Sequence, residues 1–110
     1  YCSLNALESI TIGKGTIFGE NVKVYDHNHC YKDRTRLIKE QGYTSAPIHI
    51  GEHCWIGLGC IILKGTTIAP HTVVAAGSIC TTEYHKGNCI IAGNPAKVVK
   101  ENIDWDRKYL

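Results

Sequence analysis

A six-residue repeat over residues 50–79 constrains the fold of this chain more than any other feature. Five consecutive hexads each begin with Ile or Val and carry a small residue at the fifth position. The first positions are Ile50, Ile56, Ile62, Ile68 and Val74. A period of six fits neither an α-helix nor the two-residue alternation of a flat strand, and an ordinary sheet would not keep this phase. It is typical of a parallel β-helix, in which each hexad forms one short strand and a corner.

The same period predicts which side chains point inward. The fifth position of one hexad and the first of the next are two residues apart, so they face the same way, and the residue between them faces outward. The outward residues are then Trp55, Ile61, Thr67, Val73 and Ile79. If three hexads form one triangular coil, residues eighteen apart stack on one face. The predicted stacks are Trp55 with Val73, Ile61 with Ile79, and His49 with Thr67.

Two of the three outer faces are therefore predicted to be apolar, and this favours a homotrimer. Apolar strips in register on a surface usually mark an interface. A subunit with two such faces can contact two neighbours in a closed ring. The alternative is a monomer on which scattered apolar residues have no partner.

Composition narrows the class of protein. The chain has 110 residues and a formal net charge of +2 without a basic run, so nucleic acid is not an expected partner. No apolar stretch is long enough for a membrane span or a signal peptide. Of the six cysteines, Cys54 and Cys60 stand at fifth positions and Cys80 opens the next hexad. Without any CxxC pair, we interpret them as small apolar residues in a reducing cytoplasm rather than disulfides or a zinc site.

The repeat is interrupted once and fades once. An earlier hexad run spans residues 6–24, and a charged insertion without a repeat follows at about 26–43. Long insertions in a solenoid project as loops toward a binding face. After Ile79 we expect a turn-rich loop over residues 80–88, then an extended segment and a short C-terminal helix. We expect one domain over residues 1–103 and a tail, residues 104–110, that covers the open end of the coil.

The insertion opens with Asp26-His27-Asn28-His29. Histidine is well suited to proton transfer near neutral pH, so a histidine at the mouth of the insertion is a candidate general base. A solvated loop histidine is the alternative. Trp55, which the repeat directs outward near the end of the insertion, favours the functional interpretation.

Four pieces of the sequence together resemble the hexapeptide-repeat acyltransferases, in particular the galactoside, maltose and Nod-factor O-acetyltransferases and the sugar acetyltransferases of surface polysaccharides. The resemblance covers about residues 10–103. The matching pieces are Tyr-Asp-His27, residues 47–57 with Trp55-Ile-Gly, residues 75–81 and Ala92-Gly-Asn-Pro-Ala-Lys.

The resemblance implies a left-handed parallel β-helix, a handedness that the repeat itself leaves open because parallel crossovers are usually right-handed. It also implies a trimer with active sites between subunits and acetyl-CoA as the donor, without a metal. His27 matches the catalytic histidine, and His29 is the competitor for that role. A backbone N–H is expected to stabilise the oxyanion.

The resemblance also implies a set of residues that bind acetyl-CoA. Trp55 matches the tryptophan beside the pantetheine, and Leu58 and Ala76 match positions whose backbone contacts the pantetheine arm. The remaining positions are Thr81 and Thr82, near the nucleotide end, and Lys97 and Lys100, near the phosphates. Many relatives have Lys where Thr82 stands, so one phosphate contact is in doubt. The donor is polyanionic, so the two lysines would bind its phosphates through their positive charge.

The acceptor side is less complete. Relatives supply acceptor contacts from an N-terminal segment and earlier coils, and this chain starts after them. Its first residue, Tyr1, and its lack of methionine indicate a fragment or a trimmed chain. At the two ends of the insertion, Asp26 and Tyr43 are predicted to contact the acceptor.

The sequence therefore predicts a cytoplasmic O-acetyltransferase that acts on a hydroxyl of a small saccharide. Three alternatives remain open at this point. One is N-acetylation of an amino sugar with the same base, and another is a non-catalytic, truncated β-helix. The third is a metalloenzyme resembling γ-carbonic anhydrases, although His49, His53 and His71 stand at ordinary repeat positions rather than in a paired-histidine motif.

Overall fold

A computed structural model describes residues 2–103, and these residues form four stacked triangular coils. The first face contains β1 (Ser3–Asn5), β4 (Lys23–Tyr25), β9 (Ile61–Ile62) and β12 (Ile79–Cys80). The second face contains β2 (Ile10–Ile12), β7 (Ile48–Ile50), β10 (Thr67–Ile68) and β13 (Glu83–Tyr84). The third face contains β3 (Ile17–Phe18), β8 (Trp55–Ile56), β11 (Thr72–Val74) and β14 (Cys89–Gly93), with β15 (Ala96–Lys100) beside β14.

The strand registers confirm the predicted eighteen-residue stacking. Trp55 pairs with Val73 on the third face, and Ile61 pairs with Ile79 on the first. On the second face, His49 pairs with Thr67. All strand pairs within the three faces are parallel except β14 with β15, so each coil repeats the inward and outward assignment of the coil before it.

The inward positions form the core, as the repeat predicts. The first positions of all five hexads are buried, and so are the small fifth positions. Thr66 and Thr72 keep their hydroxyls satisfied there by donating to the carbonyl oxygens of Leu63 and Ala69, at 2.7 and 2.8 Å. Each buried Ile contributes on the order of 1.5–3 kcal/mol of hydrophobic stabilisation, so a column of them on each face holds the coils together.

Glycine stands at the second position of the first two hexads because successive coils approach closely at these corners. A Cβ atom on Gly57 would lie 2.7 Å from the backbone nitrogen of Ala76 and 2.8 Å from the carbonyl oxygen of Val74. Both are backbone atoms of the next coil and cannot move aside cheaply. Any larger residue at Gly57 would therefore push two coils apart.

The turn-rich loop expected at residues 80–88 is instead part of the fourth coil. Its strand β13 pairs with β10, and Tyr84 is buried at the inward position. Thr67 pairs with Glu83, sixteen residues later, and Val73 pairs with Ile90, seventeen residues later. The corners of this coil are shorter, which is why the sequence loses its six-residue phase although the coil continues.

The short C-terminal helix predicted after the extended segment is wrong for residues 96–100, which form strand β15. This strand runs antiparallel to β14 after a turn that contains Gly93, at φ +106°, and Pro95. The exposed edge of β14 offers unpaired backbone groups, and the β-branched pair Val98 and Val99 favours a strand over a helix. The predicted tail over residues 104–110 lies outside the described residues.

Between β4 and β7 the chain leaves the coil. Strands β5 (His27–His29) and β6 (Tyr43–Ser45) form an antiparallel hairpin, and residues 30–42 connect them through a 3₁₀ turn, Ile38–Glu40. We call residues 27–45 the arm. At its base, the backbone nitrogen of Ala46 donates to the carbonyl oxygen of Asp26 at 3.0 Å. The arm thus emerges from the corner between the first and second faces of the second coil.

All six cysteines are free, and four of them, Cys54, Cys60, Cys80 and Cys89, are buried. Burial and the neighbouring Cys60 raise the pKa of the Cys80 thiol to about 12. A thiol with so high a pKa is a poor nucleophile at neutral pH. These cysteines fill corners and inward positions as small apolar side chains.

Candidate active site

Asp26 is the buried anchor at the base of the arm. Its carboxylate is completely inaccessible to solvent and accepts hydrogen bonds from the backbone nitrogens of Leu7 and Glu8, both at 2.7 Å. Burial acts to raise the pKa of Asp26, but the bonds from Leu7, His27 and Glu8 outweigh it and lower the pKa to about 2. At neutral pH Asp26 is therefore a fixed negative charge.

His27 is oriented by that charge. Its Nδ1 atom lies 2.9 Å from Oδ1 of Asp26, and its side chain keeps 23% of its surface exposed. An ionised carboxylate can only accept, so neutral His27 carries its proton on Nδ1 and has a lone pair on Nε2. The rings of Tyr25 and Tyr43 meet the imidazole edge to face, with centroids 6.2 and 5.4 Å away. The result is a held imidazole with one nitrogen available as a base.

His29, the competing histidine, has different surroundings. It lies two residues further along β5 and stacks against the ring of Tyr43 with a centroid distance of 4.6 Å. Among residues 2–103, the side chain of His29 makes no hydrogen bond or ion pair with a carboxylate. Of the two histidines, His27 alone has the buried acidic partner that orients a base.

The two residues predicted to contact the acceptor lie on either side of His27. Tyr43 is 53% exposed and contacts both histidine rings of β5, so its hydroxyl-bearing ring borders the same surface as His27. Asp26 is fully buried, and its oxygens are engaged by Leu7, Glu8 and His27. This geometry makes Asp26 a positioning residue for His27 rather than a contact for a ligand from solvent.

The predicted donor-binding residues Trp55 and Lys100 share one outward column of the third face. Pairing runs from Trp55 to Val73, then to Ile90 and finally to Lys100. Three strand spacings of ~4.8 Å place the two ends of this column ~14 Å apart. Trp55 is 54% exposed. An aromatic surface at one end and a cation at the other suit a long ligand with an anionic end.

A β-bulge brings the second lysine to the same side. Lys97 pairs with Ala92, whereas Lys100 pairs with Ile90, and the register shifts between Ile90 and Ile91. Because Ile90 and Ala92 are two residues apart on β14, their direct partners face the same way. The sequence predicted a helix over these residues. The strand that forms instead also places both lysines on the same side of the third face.

Leu58 and Ala76 lie on successive coils at the corner between the third and first faces, which we call the donor corner (residues 57–60 and 75–78). The backbone nitrogen of Gly77 donates to the carbonyl oxygen of Leu58 at 2.8 Å, which ties the two coils together. Both side chains are exposed. The corner follows directly after Trp55 and Val73, so Trp55, Leu58 and Ala76 border one continuous edge.

Thr81 and Thr82 lie at a different corner, between the first and second faces. This corner, which we call the arm corner, contains residues 26–47, 63–66 and 81–82. Thr82 accepts a hydrogen bond from the backbone nitrogen of Thr67 at 3.2 Å, and the backbone nitrogen of Gly65 donates to Ala46 at 3.3 Å. Within one copy, Thr81 and Thr82 therefore lie at the same corner as His27. Trp55 lies beside the donor corner, which borders the opposite side of the first face.

Sequence reasoning did not single out the basic residues beside the arm. A cavity of about 540 Å³ lies between the arm and the coil, lined in part by Asn28, Lys32, Arg36 and Lys64. Lys64 stands at the corner position immediately before Gly65, one coil after the base of the insertion. This spacing could have identified Lys64 from the sequence, because residues at equivalent corners of neighbouring coils lie next to one another.

No group of three or more His, Cys, Asp or Glu side chains within residues 2–103 is placed to hold a metal ion. His53 and His71 stack with ring centroids 5.4 Å apart at the third corner of the prism. In that same span, no helix is long and apolar enough to cross a membrane.

Comparison with known proteins gives consistent matches over most of the chain, although no protein-family model matches it. Galactoside O-acetyltransferase of Escherichia coli is 35% identical over 101 residues, which are 92% of this chain and 48% of that protein. The crystal structure of a maltose O-acetyltransferase from Clostridium difficile superposes with a TM-score of 0.77 at 30% identity, covering 96% of this chain and 59% of that one. A hexapeptide-repeat acetyltransferase from Vibrio cholerae, solved in complex with acetyl-CoA, gives a TM-score of 0.76 at 30% identity over 86% of this chain and 50% of its own.

Over most of its length the chain is similar to the hexapeptide-repeat acyltransferases. Its coil is accordingly a left-handed parallel β-helix, as the resemblance implied. The chain spans about half the length of the curated relatives it matches. The match to this family includes the coils that carry both the arm and the donor corner.

Proposed function

We propose that this chain carries acetyl-CoA-dependent O-acetyltransferase activity toward a hydroxyl of a saccharide, with His27 as the general base. The hydrogen bond between buried Asp26 and His27 is the observation that carries the proposal, because it fixes the tautomer a base requires. The relatives support the reaction class. They include O-acetyltransferases named for galactoside and maltose, and one of the similar structures holds acetyl-CoA.

The proposed chemistry is a direct acyl transfer. Nε2 of His27 takes the proton from the acceptor hydroxyl, and the hydroxyl oxygen attacks the carbonyl carbon of the thioester. The carbon–sulfur bond then breaks, and the sulfur of the leaving CoA takes up the proton from the imidazolium. Asp26 stabilises that imidazolium throughout without itself being protonated. Base catalysis of this type contributes ~10²–10⁴-fold to the rate.

We infer that each site forms between two copies of a homotrimer. His27 leaves the coil at the arm corner, whereas Trp55, Leu58 and Ala76 border the donor corner, on the other side of the first face. Within one copy, the proposed base lies at the arm corner, whereas the predicted pantetheine-binding residues lie at the donor corner. If the arm corner of one copy packs against the donor corner of the next, His27 of the first copy comes close to Trp55 of the second. The apolar outward pairs on the first and third faces, Ile61 with Ile79 and Trp55 with Val73, support such packing.

The donor side follows from the same arrangement. Trp55 would lie against the pantetheine, and Lys97 and Lys100 would meet the phosphates at the far end of the third-face column. Thr81 and Thr82, at the arm corner, would contact the donor from the neighbouring copy. Charge-assisted hydrogen bonds from exposed lysines are expected to add modest, salt-sensitive affinity.

Initial rates with acetyl-CoA and a panel of simple saccharides test the proposal. His27→Ala is expected to lower kcat by ~10²–10⁴-fold, while the Kd for CoA, measured by calorimetry, stays within about twofold because the ring does not form the donor strip. His49→Ala, an exposed histidine on the second face, is the matched control and should keep the wild-type rate.

Two results would sink the proposal: an unchanged kcat in His27→Ala, or no binding of acetyl-CoA at millimolar concentration. A loss that follows His29→Ala instead of His27→Ala would move the base to the competing histidine. Including an amino sugar in the panel separates O- from N-acetylation, because the site of the new acetyl group is read directly from the product by mass spectrometry and NMR.

A further inference from the structure

We propose that the cavity between the arm and the coil binds the acidic group of the acceptor, a carboxylate or a phosphate, and so selects acidic saccharides. The inference rests on the proposed function, which it deepens by naming a substrate class. Three cations line the cavity, Lys32, Arg36 and Lys64, beside one carboxylate, Asp33.

The cavity lies next to His27. Asn28, which follows His27 in β5, forms part of its wall. Lys64 reaches it from the coil, where the next residue, Gly65, donates its backbone nitrogen to Ala46 at the base of the arm. The wall of the cavity therefore begins one residue after the proposed base along β5.

The charges of the cavity are not balanced within the protein. Its lining carries three cations and one carboxylate, a net charge of +2. Removing these from the 12 basic and 10 acidic residues of the chain leaves nine of each, so the rest of the chain is formally neutral. None of the three cations forms an ion pair within residues 2–103. Like charges gathered without counterions create a field that attracts anions.

The shape of the wall is fixed by hydrogen bonds of the loop itself. The side-chain nitrogen of Gln41 donates to the carbonyl oxygens of Asp33 and Arg36 at 3.0 and 2.9 Å, and its oxygen accepts from the backbone nitrogen of Asp33 at 3.1 Å. Asp33 is occupied by Thr35, whose backbone and hydroxyl donate to Oδ1 at 2.9 and 2.7 Å. The one carboxylate is thus engaged locally, which leaves Lys32 and Lys64 available to a ligand.

The acceptor is a better source of the anion than the donor. The donor phosphates already have assigned cations, Lys97 and Lys100, at the end of the third-face column that begins at Trp55. A volume of about 540 Å³ is sufficient for a monosaccharide. We therefore assign the cavity to the acidic group of the acceptor.

The test uses two probes that differ by one carboxylate: methyl galactoside and methyl galacturonoside. Their binding is followed from the backbone amide NMR signals of Asn28 and Cys30 without acetyl-CoA, and their acetylation is followed separately. We expect the uronoside to bind ~10-fold more tightly than the neutral sugar, as a charge-assisted contact implies. Lys64→Met should remove most of that preference. Lys39→Met makes the same charge change on the arm outside the cavity lining and should keep it.

Equal affinity for the two probes overturns the inference, and so does a preference lost equally in Lys64→Met and Lys39→Met. Competitive displacement of the uronoside by CoA would reassign the cavity to the donor and also overturn it. The binding readout does not depend on catalysis. Selective binding of the uronoside without any acetyl transfer would defeat the proposed function alone, whereas transfer without acid preference would defeat this inference alone.

Discussion

Nδ1 of His27 lies 2.9 Å from Oδ1 of Asp26, and the backbone of the preceding coil holds that carboxylate in place. Leu7 and Glu8, which supply the two backbone hydrogen bonds, precede Asp26 by 19 and 18 residues. The orientation of a side chain on the arm is thus set by the coil. A histidine that looks like a loop residue in the sequence is oriented by hydrogen bonds from the backbone of the first coil.

Asp26→Asn should lower both stability and turnover. An amide cannot accept from all three donors, so the free energy of unfolding at pH 7 is expected to fall by about 2 kcal/mol. The pKa of Asp26 is lowered from 3.8 to about 2 in the folded protein, so the unfolded chain binds more protons between these values. The wild type therefore loses this stabilisation as the pH falls from about 4 to about 2, and its advantage over Asp26→Asn should shrink in that window.

Urea unfolding of both proteins at pH 7, 4 and 3 measures that difference. The kinetic signature should be a fall in kcat with little change in the KM for acetyl-CoA, since Asp26 acts through His27. Glu52→Gln is the control, because Glu52 is an exposed carboxylate at the corner between the second and third faces, away from the arm. A stability difference that stays constant from pH 7 to pH 3 would contradict the assignment.

Mixing two inactive variants should restore activity if sites form between copies. His27→Ala lacks the base but keeps the donor strip, and Trp55→Ala has the reverse defect. In a randomly mixed trimer about a quarter of the sites combine an intact His27 from one copy with an intact Trp55 from the next. After the two variants are mixed, unfolded and refolded together, rates at low acetyl-CoA should approach that fraction of the wild-type rate. If the rate of the mixture is no greater than the sum of the rates of the two separate variants, His27 and Trp55 of one site come from the same copy.

Lys100→Met should weaken binding of the anionic end of the donor selectively. The KM for acetyl-CoA is expected to rise ~5–10-fold, as for loss of one charge-assisted contact. The KM for acetyl-pantetheine, which lacks the nucleotide phosphates, should not change. Lys14→Met, at a corner remote from β15, serves as the control. Equal effects on the two donors would argue against a phosphate contact.

Ile61→Arg should dissociate the proposed trimer without unfolding the coil. Ile61 stacks with Ile79 in the outward column of the first face, and a charge there cannot be buried against a neighbour without a large desolvation cost. We expect the mass from sedimentation equilibrium to fall by about threefold while the far-UV spectrum keeps its β signal. His49→Arg, on the polar second face, should leave the mass unchanged. A monomeric wild type would refute the interface at once.

The coil could be predicted from the sequence because its rule is local and repeated. The inward and outward alternation around Ile56 or Ile62 depends on two residues, and five copies of the pattern fix the eighteen-residue stacking. Trp55 above Val73 follows from arithmetic alone. The fourth coil was missed because its shorter corners shift the register, and Tyr84 replaces the aliphatic residue that the pattern requires.

The site could be predicted only in part, since its contacts join segments far apart in sequence. His27 is visible as a histidine at the mouth of an insertion, but nothing in its neighbourhood shows that Leu7 and Glu8 secure Asp26. The strand at residues 96–100 depends on the edge of β14 as well as on its own β-branched pair, and that edge is not visible in the sequence. Lys64 becomes notable only when the coil places it beside the base of the arm.

The hydrogen bond from Ala46 to Asp26 at the base of the arm has an evolutionary consequence. The coil requires only that the chain depart at residue 26 and return at residue 46, and the connection over residues 30–42 lies outside the coil. Under the proposed function, acceptor recognition can therefore diversify by replacing this connection, while His27, the donor corner and the buried columns stay as they are. Transplanting residues 30–42 between relatives would be a direct route to new acceptor specificities on one unchanged scaffold.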